Sequence, residues 1–138
     1  MLLREFRMND YPAVLALWQN AGTGITLRPS DETAEVSRKL ERDPDLFLVA
    51  EESCDIIGVI MGAWDGRRGW LHHLAVEGAH RGRGIATALI AAVEERLSAK
   101  GCLKVNLLVD ARNTRARELY ARLGYAEMRG FVAMGKEL

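Results

Sequence analysis

The sequence predicts one domain of mixed α/β class over residues 1–138, with helices packed on a mixed sheet. Two observations support this class. Strand-like apolar runs share the chain with segments whose apolar residues recur at helical spacing, and a glycine-rich segment leads from one such run directly into the strongest helical pattern. The predicted order of elements is β-α-α-β-β-β-α-β-α-β, and a chain of this length can bury a core without disulfides.

The first third of the chain predicts a short strand followed by two helices. Leu2, Glu5 and Phe6 form the extended start, and Asp10 is placed to cap a helix over Tyr11–Gln19. A second helix opens at Pro29 with acids in its first turn and runs to about Arg42. Its apolar stripe is thin, which indicates a helix that covers a substrate wall or acts as a lid.

Three strand-like runs follow, and they predict an antiparallel meander. The runs are Leu46–Glu51, Ile56–Trp64 and Trp70–Val76. Asp65-Gly66 between two of them is a strong hairpin signal.

The second half predicts a long helix, a buried strand, a further helix and a last strand. The long helix begins near Ile85 and ends before Gly101. Leu103–Val109 is the strand, and the next helix is capped by Asn113 and ends at Gly124. Phe131–Met134 is predicted as the last strand.

Composition excludes several classes of protein. The 19 basic and 19 acidic residues give no net charge, which argues against a general nucleic-acid binder. No apolar run approaches the ~20 residues of a membrane span, and no export signal is visible. Cys54 and Cys102 fit neither a disulfide framework nor a metal site. We therefore expect a cytoplasmic protein with no metal and no membrane partner.

The glycine-rich segment Arg81-Gly82-Arg83-Gly84 predicts an anion site, because bare backbone N–H groups and a helix N-terminus meet there. A plain tight turn with solvated arginines is the alternative. A P-loop is excluded, because Ile85 and Ala86 follow Gly84 where Lys and Ser or Thr are required. A dinucleotide-binding loop ranks low, since Thr87 stands where the third glycine belongs.

Two sequence motifs narrow the prediction of an anion site to one family of proteins. Arg81-x-x-Gly84-x-Ala86 resembles the Arg/Gln-x-x-Gly-x-Gly/Ala signature of the GNAT family of acetyl-CoA-dependent N-acetyltransferases. Asn113-x-x-Ala116-x-x-Leu119-Tyr120-x-x-Leu123-Gly124-Tyr125 is similar to that family's Asn-x-x-Ala-x-x-Leu-Tyr-x-x-Leu-Gly-Phe segment. The order of elements is also similar, so the resemblance implies the GNAT fold over nearly the whole chain. Within this family, the chain most resembles the small bacterial YpeA-type acetyltransferases.

The resemblance implies where coenzyme A binds. Loop N–H groups would hold the pyrophosphate, and the end of the third meander strand would pair with the pantetheine arm along an open edge. The implied cofactor-binding residues are Leu74, Ala75, Val76, Arg81, Gly82, Arg83, Gly84, Ile85, Ala86, Thr87 and Asn113. A helix cap explains Asn113 nearly as well, and the side chains of Leu74 and Val76 are expected in the core.

The catalytic candidates are one tyrosine and two histidines. The resemblance implies that Tyr120 is the general acid that protonates the leaving thiolate, although packing on its helix face explains it too. His72 and His73 are weak base candidates, and strand alternation predicts that they face opposite sides of the sheet. Val105–Val109 carries no carboxylate, which weighs against acetylation of protein N-termini, since family members with that activity tend to have a Glu there.

The resulting expectation is an N-acetyltransferase that moves acetyl from acetyl-CoA to a primary amine of a small molecule or peptide by direct attack in a ternary complex. A GNAT-fold module that binds acyl-CoA without catalysis, as a sensor or partner subunit, is the alternative. A homodimer is plausible for the family.

Charge patterning suggests how the two substrates are drawn in. Residues 1–69 hold 12 acids and 8 bases, whereas residues 70–138 hold 7 acids and 11 bases. We expect the second half to attract the anionic coenzyme and acids of the first half, among Glu32, Glu35, Glu51 and Asp65, to attract a cationic amine.

Overall fold

A computed structural model describes residues 1–138 as one mixed sheet with α-helices on both faces. The strands and helices are β1 (Leu2–Glu5), α1 (Tyr11–Gln19), α2 (Thr33–Arg42), β2 (Phe47–Glu52), β3 (Asp55–Trp64), β4 (Gly69–Val76), α3 (Ile85–Ala99), β5 (Val105–Leu107) and α4 (Thr114–Arg122). The spatial order is β1-β2-β3-β4-β5; β1 to β4 are antiparallel neighbours, and β5 is parallel to β4. The fold class and the order of elements through α4 agree with the sequence-based expectation. The buried strand predicted over Leu103–Val109 is wrong in extent and burial, since only Val105–Leu107 form β5 and Leu103 and Leu108 are 95% and 70% exposed.

The sheet separates two apolar cores, because successive side chains of a strand point to opposite faces. On one face, Leu48 of β2 and Ile60 of β3 pack under α3 through Leu89 and Val93. On the other face, Val49 and Val59 of the same strands pack against α1 and α2, where Trp18 is fully buried.

All four helices are short, and α3 is the longest at 15 residues. No helix is both long enough and apolar enough to span a membrane.

The prediction of a last strand at Phe131–Met134 is wrong. This segment has no regular structure, and Phe131, Val132 and Met134 are each at least 80% exposed. β5 is only three residues long and therefore offers few free backbone groups for a further strand. Gly130, with φ of 87°, turns the chain just before the segment.

Close approach of α3 to the sheet depends on small residues in the strands. A Cβ atom built at Gly62 would lie 2.7 Å from Val93 Cγ1 and 3.0 Å from the Leu46 carbonyl oxygen. Gly62 is also held in place, because its N–H donates to the Leu46 carbonyl at 2.7 Å. The Val93 side chain and the Leu46 backbone leave no room for a larger residue, so the distance of α3 from the sheet at this point depends on Gly62.

We expect Gly62→Ala to destabilise the fold by about 1–3 kcal/mol, because overpacking forces α3 away from the sheet. Urea unfolding followed by circular dichroism measures the change. The matched control is Gly135→Ala, where an added Cβ meets nothing within 4 Å, and its free energy of unfolding should change by less than about 0.5 kcal/mol. Equal effects of the two variants would contradict the proposed packing constraint.

Candidate functional site

β4 has an open edge along its second half. Its pairing with β5 covers only Gly69–Leu71, opposite Val105–Leu107. From His72 to Val76, β4 is hydrogen-bonded to β3 on one side and has no strand on the other. Leu74, Ala75 and Val76 lie in this stretch, with Leu74 and Val76 packed on the α3 core and Ala75 on the opposite core. Backbone groups at such an edge are available to an extended ligand.

A β-bulge interrupts β4 at the histidines. Val59 pairs with Ala75 and Met61 with His72, so His73 and Leu74 together lie opposite Ile60. The extra residue is accommodated by His73, whose φ of 51° is in the left-handed region.

The bulge overturns the expectation that the two histidines face opposite sides of the sheet. Both rings line one cleft of about 490 Å³ between β4 and α2. The side chains do not alternate between the two faces here, because the bulge inserts one extra residue between His72 and Leu74. The cleft is lined by Ser30, Asp31, Glu35, Arg38, Lys39, Arg42, Met61, His72 and His73.

The His73 ring is held from two sides. Its Nε2 lies 2.8 Å from Asp31 Oδ1, and the ring meets Trp18 edge-on at 5.1 Å between centroids. Trp18 Nε1 also donates to the His73 carbonyl at 3.3 Å. The strained backbone of the bulge is therefore fixed by α1 and by the turn before α2.

His72 is held only by stacking on Trp70, with centroids 6.3 Å apart. Although His72 is exposed overall, partial desolvation in the cleft lowers its pKa. The nearby His73 and Lys39 lower the pKa further, and the Asp31 carboxylate acts in the opposite direction. A lowered pKa keeps this imidazole neutral at physiological pH.

The glycine loop after β4 presents free donors. The first hydrogen bond of α3 runs from Ala88 N–H to the Gly84 carbonyl, and the six backbone N–H groups from Gly82 to Thr87 have no acceptor in the protein. Gly82 and Gly84 have φ of 80° and 79°, which side-chain-bearing residues rarely adopt. An anion that accepts from these groups fits both the donor set and the helix dipole.

The two arginines of the loop differ in their surroundings. Arg83 is engaged by Glu52 of β2 through two hydrogen bonds of 2.9 and 2.8 Å. This arginine is the main cause that lowers the pKa of Glu52 to about 2, and the chain N-terminus and His80 lower it to a smaller extent. Arg81 donates from Nε to the Val76 carbonyl at 3.3 Å, which leaves its terminal nitrogens free. Of the two side chains expected beside the anion, only Arg81 keeps its charge free of a carboxylate.

Tyr120 lies in a groove of about 1330 Å³ between β5, α4 and the C-terminal segment. Desolvation raises the pKa of its phenol to about 12. Its hydroxyl makes no hydrogen bond to the protein, whereas that of the adjacent Tyr125 donates to Glu94 at 2.8 Å. The two rings meet edge-on at 5.7 Å.

Asn113 does serve as a helix cap, since its Oδ1 accepts the Ala116 N–H at 3.1 Å. Its Nδ2 lies 3.3 Å from where a Cβ on Gly24 would stand, so the connection between α1 and α2 runs against the start of α4. The amide group of Asn113 keeps its donor nitrogen available.

The acids expected to attract a cationic amine do not gather around the cleft. Of the four acids predicted at the mouth, only Glu35 lines the cleft, and it pairs with Arg38 at 3.0 Å. Glu51 binds Arg4, and Asp65 caps the turn between β3 and β4. Asp31 is the second carboxylate that lines the cleft, and the sequence had placed it only among the acids at the start of the second helix. No group of three or more potential metal-ligating residues is present.

An open strand edge leading into free amides at a helix N-terminus fits an extended ligand that carries amides and ends in phosphates, as coenzyme A does. The pattern of the Acetyltransferase (GNAT) family matches residues 10–125. The chain belongs to this family and is an acetyl-CoA-dependent N-acetyltransferase.

Relatives support this assignment over the full length. An acetyltransferase of Sodalis glossinidius is 42% identical and one of Pectobacterium atrosepticum 43%, each over 139 aligned positions covering 100% of this chain and 96% of the relative.

Among solved structures, an aminoglycoside 6'-N-acetyltransferase of Acinetobacter haemolyticus superposes with a TM-score of 0.80 at 20% identity, covering 100% of this chain and 99% of that one. The PaiA N-acetyltransferase of Thermoplasma acidophilum, in complex with coenzyme A, has a TM-score of 0.80 at 18% identity, covering 91% and 89%. These similarities establish the fold.

We expect Arg83→Ala to raise the pKa of Glu52 from about 2 towards 4.5, the ordinary value of a glutamate side chain, because the hydrogen-bonding guanidinium is the main cause of the lowered pKa. A carboxyl-carbon NMR titration measures it. The pKa of Asp110, lowered to about 2 by Arg112, is the internal control and should stay unchanged. A Glu52 titration identical to that of the wild type would show that the pair does not form in solution.

Proposed function

We propose that this enzyme transfers the acetyl group of acetyl-CoA directly to a primary amine, on a small molecule or a peptide, within a ternary complex. The observation that carries the proposal is the open edge of β4, which has the glycine loop at its end and the histidine cleft beside its bulge. One strand therefore lies beside both a coenzyme site and an acceptor site.

We infer how coenzyme A binds from the unpaired backbone groups of β4 and of the glycine loop. The amides of the pantetheine arm pair with the main chain of Leu74, Ala75 and Val76 as an added strand would. The pyrophosphate accepts from the N–H groups of Gly82 to Thr87, with the Thr87 hydroxyl and the Arg81 guanidinium as further donors. The Asn113 Nδ2 is a free donor for another part of the coenzyme.

Tyr120 serves as the acid for the departing thiolate. A phenol with a pKa near 12 is fully protonated at neutral pH and has no protein acceptor for its hydrogen. The apolar surroundings that raise its pKa also disfavour a charged thiolate, which raises the basicity of the sulfur and favours proton transfer from the phenol. Its role is to supply a proton as the C–S bond breaks.

The acceptor amine enters from the cleft between β4 and α2. The cleft is lined by His72 and His73, and an imidazole can accept a proton from the amine; the cleft also has charges of both signs. Alignment of amine and thioester on one strand supplies a large part of the rate, since effective molarities of about 10⁵ M are reached by well-oriented reactants.

We expect Tyr120→Phe to lower kcat by about 100-fold, because it removes the proton donor to the leaving sulfur, with the KM for acetyl-CoA nearly unchanged. Thiol release from acetyl-CoA, assayed across a panel of primary amines, measures both constants. Tyr125→Phe is the control: its hydroxyl is tied to Glu94, and it should retain kcat within about 2-fold of the wild type.

Two outcomes of this assay count against the proposal. Full turnover by Tyr120→Phe, with the chemical step limiting, removes the acid role. Binding of acetyl-CoA without turnover on any amine favours the alternative of a non-catalytic acyl-CoA-binding module.

We expect Arg81→Ala to raise the KM for acetyl-CoA by about 5-fold, because one solvent-exposed charge opposite the phosphates is worth up to about 1 kcal/mol. The wild-type KM should rise with salt as screening increases, and the variant should respond less steeply. Arg68→Ala, in the turn at the far end of β4, is the control and should follow the wild-type salt curve. A KM insensitive to salt would rule out electrostatic capture of the coenzyme.

A further inference from the structure

Asp31 is a buried carboxylate whose two oxygens have separate partners. It ends the short turn Pro29–Asp31 ahead of α2 and is 8% exposed. Its Oδ2 accepts the Arg28 N–H at 3.0 Å, and its Oδ1 lies 2.8 Å from His73 Nε2. The backbone of Asp31 is also fixed, since the Tyr11 hydroxyl donates to its carbonyl at 2.9 Å.

The same local motif occurs once more in the chain with a different partner. Asp10 ends the turn Met8–Asp10, is 9% exposed, and accepts the Arg7 N–H through Oδ2 at 2.8 Å. Its remaining bonds go to the Arg4 guanidinium, at 2.8 and 3.0 Å. Asp10 thus ties one turn to β1 by an ion pair, whereas Asp31 ties the equivalent turn to an imidazole in the cleft.

The contact with Asp31 determines which nitrogen of His73 carries hydrogen. A carboxylate oxygen only accepts hydrogen bonds, so His73 Nε2 must donate, and the neutral ring then has its lone pair on Nδ1. The structure gives the ring no other hydrogen bond, and its side chain is 24% exposed where it lines the cleft. His72 has no hydrogen-bonding group that fixes its ring or its tautomer.

We propose that Asp31 is a positioning residue that holds His73 in the tautomer whose Nδ1 takes the proton from the attacking amine. This inference rests on the proposed function. As the nitrogen–carbon bond to the acetyl group forms, the proton leaves the amine for His73 Nδ1. The electron pair of the breaking C–S bond stays on sulfur, which is protonated by Tyr120.

The test combines a spectroscopic and a kinetic measurement on the full chain. Nitrogen-15 NMR of the neutral His73 ring in the wild type should show hydrogen on Nε2. In Asp31→Asn, an oxygen remains for the Arg28 N–H while the amide nitrogen donates to Nε2, so the hydrogen should move to Nδ1. With an amine that the wild type acetylates, kcat should fall by about 100-fold, and the KM for acetyl-CoA should stay within about 2-fold.

Asp10→Asn is the matched control, since it alters the same turn motif without a histidine partner. It should lower the melting temperature while leaving kcat and the His73 tautomer as in the wild type. A double variant gives a further criterion: in a His73→Asn background, adding Asp31→Asn should cost no further kcat, because the two residues act as a unit.

Three results would overturn the inference, and they are distinguishable from failure of the proposed function. These are hydrogen on His73 Nδ1 in the wild type, an unchanged kcat in Asp31→Asn, or additive losses in the double variant. If the wild type acetylates no amine, the proposed function fails together with the proton transfer. The tautomer measurement requires no acceptor and then still decides whether Asp31 orients His73.

Discussion

Backbone groups of β4 beyond Leu71 lack a neighbouring strand on one side, and most features of the site follow from this lack of pairing. Main-chain donors and acceptors at a strand edge need water or a ligand as partners. The bulge begins at the next residues, so β4 leaves β5 and changes its side-chain phase at nearly the same place. The end of pairing with β5 and the bulge thereby lie between the proposed coenzyme site and the proposed acceptor cleft.

Local sequence signals were sufficient for most of the architecture. The helix before Gly101, the turn at Asp65 and the cap at Asn113 were all predictable, since each depends on residues within a few positions of one another. The last strand was not, because Phe131–Met134 has strand-like composition but no pairing partner in the structure. Pairing is a tertiary property that composition does not encode.

The cleft was less predictable than the coenzyme site for the same reason. The loop from Gly82 to Thr87 is contiguous, so its donors are visible in the sequence. The cleft joins His73 to Asp31, 42 positions earlier, and needs a bulge that alternation rules do not anticipate. The expected charge division is also weaker than the count suggests, because Arg83 and Arg112 are each paired with a nearby carboxylate.

The two cores on opposite faces of the sheet have an evolutionary consequence. The coenzyme loop rests on the α3 core, and the cleft rests on the core built from α1 and α2. Effects of substitutions at well-separated sites without shared partners usually add independently. During evolution, substitutions on the α1 and α2 face can therefore change the proposed acceptor cleft while the α3 core beneath the proposed coenzyme loop stays intact.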